Sequence, residues 1–213
     1  ASARGARGAR ARRARARWRP GCVTAPRRPL GDRYEAAGKY LEKKNTFTDF
    51  VDCAEALLER GVARRGQLSC EGRSAGGLLV GNVVNMAPEL FAAAVAGVPF
   101  VDLMVTMCDP SIPLTTEEWE EWGNPNEAKY HEYMQSYSPI DNVREGATYP
   151  SMLIVSGLND PRVAYWEPTK WAQVSHADPH APSPNPVTLT LLRSADRMTW
   201  LACPGAARHS LQR

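Results

Sequence analysis

The sequence contains no Cys-x-x-Cys pair, and its five cysteines (Cys22, Cys53, Cys70, Cys108, Cys203) are scattered and odd in number. That excludes a disulfide framework or a cysteine-ligated zinc as the organising device, and it suits a reducing, cytoplasmic compartment. No long apolar run survives inspection either. The best stretch, 78–105, is broken by Asn82, Asn85, Pro88, Glu89, Pro99 and Asp102, so it is not a membrane span. Residues 1–28 lack any acid while carrying ten arginines. The other 16 basic residues face all 23 acids, so the body of the chain is net −7 despite an overall charge of +3. Nothing in that acidic body predicts nucleic-acid binding.

The segment 1–31 also has almost no large apolar side chains. Ala/Arg text of this kind does not bury enough surface to offset its ordering entropy, which predicts a disordered segment. An organelle transit peptide shares the arginines but is Ser-rich, which this segment is not, and a basic arm rests on charge alone. The first residue is not Met. We read the segment as an incomplete or misread coding end. From Asp32 the composition becomes that of a globular domain, expected over 32–193, with a further tail over 194–213. Apolar residues at 50, 51, 54, 57 and 58 predict a helix over 48–58, with Thr46 or Thr48 as cap and Gly61 as terminator. Strands are expected over 67–70, 92–98, 151–157 and 187–192, and helices over 75–85 and 165–174. An excursion with short helices at 116–122 and 127–136 is expected within 106–150. The run 151–157, nearly all apolar, reads as a strand covered on both faces. Strand alternating with helix is the mark of a parallel α/β sheet.

Between the first strand and its helix stands Gly72-Arg73-Ser74-Ala75-Gly76, a Gly-x-Ser-x-Gly elbow. In such an elbow the serine takes a strained backbone conformation at a sharp strand-to-helix turn, and the glycines two before and two after lie too close to neighbouring backbone for a Cβ. An ordinary structural turn is the competing reading. A serine nucleophile needs a base for its proton and an acid to orient that base. Asp160 follows the strand 151–157, at the sheet end where such sites form, although a loop-capping aspartate would stand there equally well.

Several stretches together resemble the catalytic domain of the prolyl oligopeptidase family, in particular the oligopeptidase B branch that cuts after Lys or Arg. They are Lys44-Asn45-Thr46-Phe47-Thr48-Asp49-Phe50, Gly72-Arg73-Ser74-Ala75-Gly76-Gly77, Ala96-Gly97-Val98-Pro99-Phe100-Val101-Asp102, Glu121-Trp122-Gly123-Asn124-Pro125, Tyr137-Ser138-Pro139 and Gly157-Leu158-Asn159-Asp160. The resemblance implies an α/β-hydrolase fold and a serine peptidase acting on short basic peptides through an acyl-enzyme, with no cofactor and no metal. It assigns Ser74 as nucleophile, Asp160 as triad acid, the Ala75 N–H as an oxyanion donor, and Glu118 and Glu120 as acids for the substrate's basic side chain. The competing functions are an esterase or acylaminoacyl hydrolase on the same fold, and a non-catalytic fragment acting only by binding.

The resemblance lapses in three places. After the last strand, where the family has a Gly-x-Gly-His-like turn, this chain reads Arg193-Ser194-Ala195-Asp196-Arg197. His131 precedes the acid, His176 and His180 fall in a Pro-rich loop, and His209 alone lies downstream. No strand pattern precedes residue 66, and no β-propeller precedes the domain. These departures predict a partial hydrolase domain with its base out of place.

Overall fold

The computed structural model describes residues 35–175 and 185–192. The segments expected to lie apart from the domain, 1–31 and 194–213, fall outside the described residues. So do His176, His180 and His209.

Four strands form one parallel sheet in the order β1-β2-β3-β4: Ser69–Arg73, Ala93–Gly97, Ser151–Gly157 and Val187–Leu192. Six α-helices accompany them among the described residues: α1 (Asn45–Glu59), α2 (Ala75–Met86), α3 (Leu103–Cys108), α4 (Thr115–Trp122), α5 (Ala128–Gln135) and α6 (Trp166–Val174). Cys70, Ala94 and Met152 share one register row, and Gly72, Ala96 and Ile154 the next but one. These rows face the buried side of the sheet, against which α2 and α6 pack. Burying each large aliphatic side chain here contributes about 1.5–3 kcal/mol. The expectation that β3 is covered on both faces does not hold among the described residues, because Leu153 is 41% exposed while Met152 and Ile154 are buried. An all-apolar strand signals burial without saying which of its faces meets a neighbour.

Helix α2 is buried nearly all round, with Leu78, Val80, Val83 and Val84 at zero exposure. Its two amides are satisfied inside the core. Asn82 Nδ2 donates to Leu78 O, and Asn85 Nδ2 donates to Pro139 O at 2.9 Å while its Oδ1 accepts the Tyr149 hydroxyl at 3.0 Å. Asn85 thereby ties the elbow helix to the far end of the 106–150 excursion.

Helix α1 begins earlier than the periodicity indicates, and neither threonine caps it. The residue before it is Lys44, and the Thr48 hydroxyl donates backwards to Asn45 O at 3.1 Å. Its end follows expectation. Gly61 at φ 65° lets its own N–H reach Leu58 O and the Val62 N–H reach Leu57 O. The short α3 lies in a stretch the sequence pattern leaves unassigned. Among the described residues no helix is long and apolar enough to cross a membrane, and no group of three or more His, Cys, Asp or Glu gathers as metal ligands would.

Candidate active site

The chain turns from β1 into α2 at Ser74, whose backbone sits at φ 55°, ψ −122°. That is a costly conformation for a residue with a Cβ, on the order of 1–3 kcal/mol, and it persists only where the surroundings enforce it. Here they do. Ser74 N donates to Gly97 O at 3.0 Å, and Ser74 O accepts from Gly77 N at 2.7 Å, Leu78 N at 3.1 Å and Phe100 N at 3.3 Å. A Cβ on Gly72 would lie 2.0 Å from Gly76 O, and one on Gly77 would lie 2.5 Å from Pro99 Cα. The close approach expected two residues either side of Ser74 holds at Gly72 but not at Gly76, where a Cβ would have open space; the second close approach is at Gly77. Gly76 contributes the carbonyl that excludes a side chain at 72.

Ser74 and Ala75 line a small cavity of about 40 Å³, shared with Phe100, Thr106, Glu118 and Arg162. Ala75 lines the cavity and opens α2, so its N–H has no carbonyl one turn earlier within the helix. Phe100 forms part of the wall and stands edge-on to Trp122 with centroids 5.8 Å apart. Lys43, buried and paired with Glu121 at 2.7 Å, lies over the Trp122 ring at 4.2 Å. The aromatic wall is thus backed by a cation–π contact, a stiffening worth about 1–2 kcal/mol where the cation is desolvated.

Of the two glutamates expected to act together, the structure brings only Glu118 to the cavity. Glu118 Oε2 accepts from Trp122 Nε1 at 3.1 Å, and its Oε1 is in a close ion pair with the Arg162 guanidinium. Glu120 is exposed on another face of α4 and does not line the cavity. Residues two apart on a helix of 3.6 residues per turn point in nearly opposite directions, so Glu118 and Glu120 lie on different faces of α4.

Asp160 lies in the turn after β3, half-buried. Its Oδ1 accepts from Arg162 N at 2.9 Å and Val163 N at 3.0 Å, the cap expected of a loop aspartate. The described residues contain one histidine, His131, which is exposed on α5 and makes no hydrogen bond to Ser74 or Asp160. The serine and the acid therefore stand at the ends of β1 and β3, two strands separated by β2, and no base is found between them among the described residues.

Two participants escaped sequence reasoning. Arg162 reaches Glu118 from 44 residues further along the chain. Glu167, fully buried at the start of α6, accepts from Val101 N and Asp102 N and from the Thr106 hydroxyl. Burial pushes its carboxyl up from an ordinary 4.5 to about 7, against the pull of those three donors. No local pattern marks either residue.

Comparison with known proteins accords with this arrangement. The model of the prolyl oligopeptidase family matches residues 28–177. Protease 2 of Moraxella lacunata is 52% identical over 142 residues, which cover 67% of this chain and 20% of that protein. Dipeptidyl aminopeptidase BI of Pseudoxanthomonas mexicana is 49% identical over the same length and shares. Among solved structures, oligopeptidase B from Leishmania major superposes with a TM-score of 0.70 at 57% identity, covering 76% of this chain and 22% of that one. Oligopeptidase B from Trypanosoma brucei, in a closed form with covalently bound antipain, gives 0.70 at 63% identity with the same coverage. The chain thus spans about a fifth of the length of the relatives it matches, and the part it shares with them is their α/β-hydrolase catalytic fold. By its sheet, its elbow and a family match running from residue 28 to residue 177, the chain belongs to the prolyl oligopeptidase family.

Proposed function

We propose that the Ser74 cavity is the acyl-transfer site of a serine peptidase acting on short peptides after Arg or Lys. The observation that carries this is the strained Ser74 backbone at the mouth of a cavity containing the Glu118 carboxylate. Ser74 Oγ is the nucleophile, the Ala75 N–H is one donor to the developing oxyanion, and Asp160 is the acid that orients a base. Glu118 is the acceptor for the guanidinium or ammonium of the residue before the scissile bond; a charge-assisted pair of this kind is stronger than a neutral hydrogen bond. Oligopeptidase B from Trypanosoma brucei holds antipain covalently, which supports a reading with a nucleophile and a covalent intermediate. The domain is read as 32–193, with 1–31 and 194–213 outside it.

The test has two arms. A serine-directed phosphonate should label the wild-type chain at Ser74 and leave Ser74→Ala unlabelled. No base reaches Ser74 among the described residues; if none is supplied from elsewhere, labelling should be slower than in a complete triad by about 10²–10⁴-fold. Peptides with Arg or Lys at the cleavage position should bind wild type and lose affinity in Glu118→Gln, whereas simple esters should be indifferent to that change. Equal binding of arginine- and proline-directed peptides would defeat the specificity assignment. Absence of labelling at any pH would favour the reading in which the chain acts by binding alone.

A further inference from the structure

Segment 97–106 forms one wall of the Ser74 cavity and is held from behind by α6. The Phe100 N–H donates to the carbonyl of Ser74 itself, at 3.3 Å. The next two N–H groups, of Val101 and Asp102, both donate to Glu167 Oε2 at 3.0 Å. Four residues on, the Thr106 hydroxyl donates to Glu167 Oε1 at 2.7 Å. One turn along α6, Lys170 Nζ grips Asp102 Oδ2 at 2.8 Å. The segment so held is not at rest. Val98, a β-branched residue, sits at φ 38°, a region such side chains avoid.

A completely buried carboxylate is an expensive way to bind a loop. Two main-chain N–H groups and a hydroxyl are within the capacity of a neutral amide, which carries no desolvation penalty of comparable size. What a carboxylate adds is stronger acceptance at both oxygens, and dependence of that acceptance on its charge. Both ends of the held segment, Phe100 and Thr106, line the cavity.

We propose that Glu167 is a positioning residue for the Ser74 cavity: its carboxylate sets the Phe100–Thr106 wall, so that the wall tightens when Glu167 is ionised and loosens when it is protonated. The inference rests on reading that cavity as the substrate pocket. The charged groups around Glu167 are Asp102, which disfavours its ionisation, and Lys170, which neutralises Asp102 from the same helix. The group is poised near neutrality, where few other side chains change charge.

The experiment uses the full chain, followed by NMR between pH 5.5 and 8.5, with benzamidinium as the probe for the cavity. In wild type the amide signals of Val101 and Asp102, the Phe100 ring and the Thr106 methyl should move along one titration curve. Benzamidinium affinity should fall about tenfold on its acid side, the worth of one charged hydrogen bond. Glu167→Gln keeps the shape and removes the charge change, so both the curve and the pH dependence of affinity should vanish while the fold persists. Should that variant fail to fold, Thr106→Val serves instead. It removes one donor to the anion and should move the curve to higher pH. The proposal is overturned if the two amides titrate while Phe100, Thr106 and the affinity do not respond, or if Glu167→Gln retains the same curve. Glu118→Gln separates the two readings. Loss of benzamidinium binding with an unchanged NMR curve supports both. Unchanged binding defeats the substrate pocket, and the NMR curve alone then upholds or overturns the hold on the wall.

Discussion

At position 72 a methyl group would meet the Gly76 carbonyl oxygen at 2.0 Å, and that carbonyl belongs to the first turn of the helix that follows Ser74. Neither atom has a soft direction in which to yield, since β1 is locked in register to β2 and α2 is buried. Gly72→Ala should therefore cost about 3 kcal/mol or more. Gly76→Ala is the control. A Cβ there has open space, and alanine in a helix is favoured over glycine by up to about 1 kcal/mol, so this variant should be equal to or more stable than wild type. Urea unfolding of the two variants reads the difference. Equal losses would mean that the elbow relaxes around the extra methyl and that the close approach is not a constraint. The pair also bears on the motif itself, because the pattern Gly-x-Ser-x-Gly presents its two glycines as equivalent and the geometry does not.

Between elements, the contact that fixes α2 against the 106–150 excursion is Asn85, which donates to Pro139 O and accepts from Tyr149. Tyr149 is itself buried, and its hydroxyl also accepts from Arg144 N at 2.9 Å. Asn85→Ala leaves a buried carbonyl and a buried phenol each short of a partner, at a cost of about 2–3 kcal/mol. Tyr149→Phe should cost about 1 kcal/mol alone and clearly less in the Asn85→Ala background. Additive losses in that double-mutant cycle would show that the two side chains do not act as a unit. This network marks the boundary of what the sequence discloses. The strands β3 and β4 were legible to the residue, because apolar runs bounded by Pro and Gly leave a local signature. The pattern for β1 covers 67–70 whereas the strand runs Ser69–Arg73, since Gly72 and Arg73 read as motif rather than as strand, although Arg73 pairs with Gly97. The elbow was legible for the same local reason. Arg162, Thr106 and Glu167 were not, because their roles arise from contacts 44 to 66 residues apart that no window of sequence contains. Glu120 shows the converse: two residues from Glu118 in sequence, it stands exposed on another face of α4, outside the cavity lining.

For the molecule as a whole, the buried Glu167 makes stability a function of pH in a direction opposite to the usual carboxylate. Its folded value, about 7, lies above the ordinary 4.5 because burial penalises the anion more than its three hydrogen bonds favour it. The protonated acid is then the form the fold prefers. The contribution is complete below about pH 4.5 and is lost progressively as pH rises to about 7, a change of roughly 3 kcal/mol between the two plateaus. Other groups titrate over the same range, so the absolute stability curve of wild type does not isolate the effect; the difference from Glu167→Gln does. The amide carries no charge at any of these pH values, and its stability relative to wild type should improve by roughly 3 kcal/mol from pH 4 to pH 9. Chemical denaturation at several pH values measures it. Two curves that run parallel across the range would mean that Glu167 has the same proton affinity folded and unfolded. The carboxylate would then be ionised throughout the neutral range, and the wall it holds would be insensitive to pH. A gap that closes on going from acid to alkali means that ionising Glu167 is opposed by the fold yet required for its strongest grip on Val101, Asp102 and Thr106. Stability and a fixed cavity wall would then make opposite demands on one side chain near neutral pH.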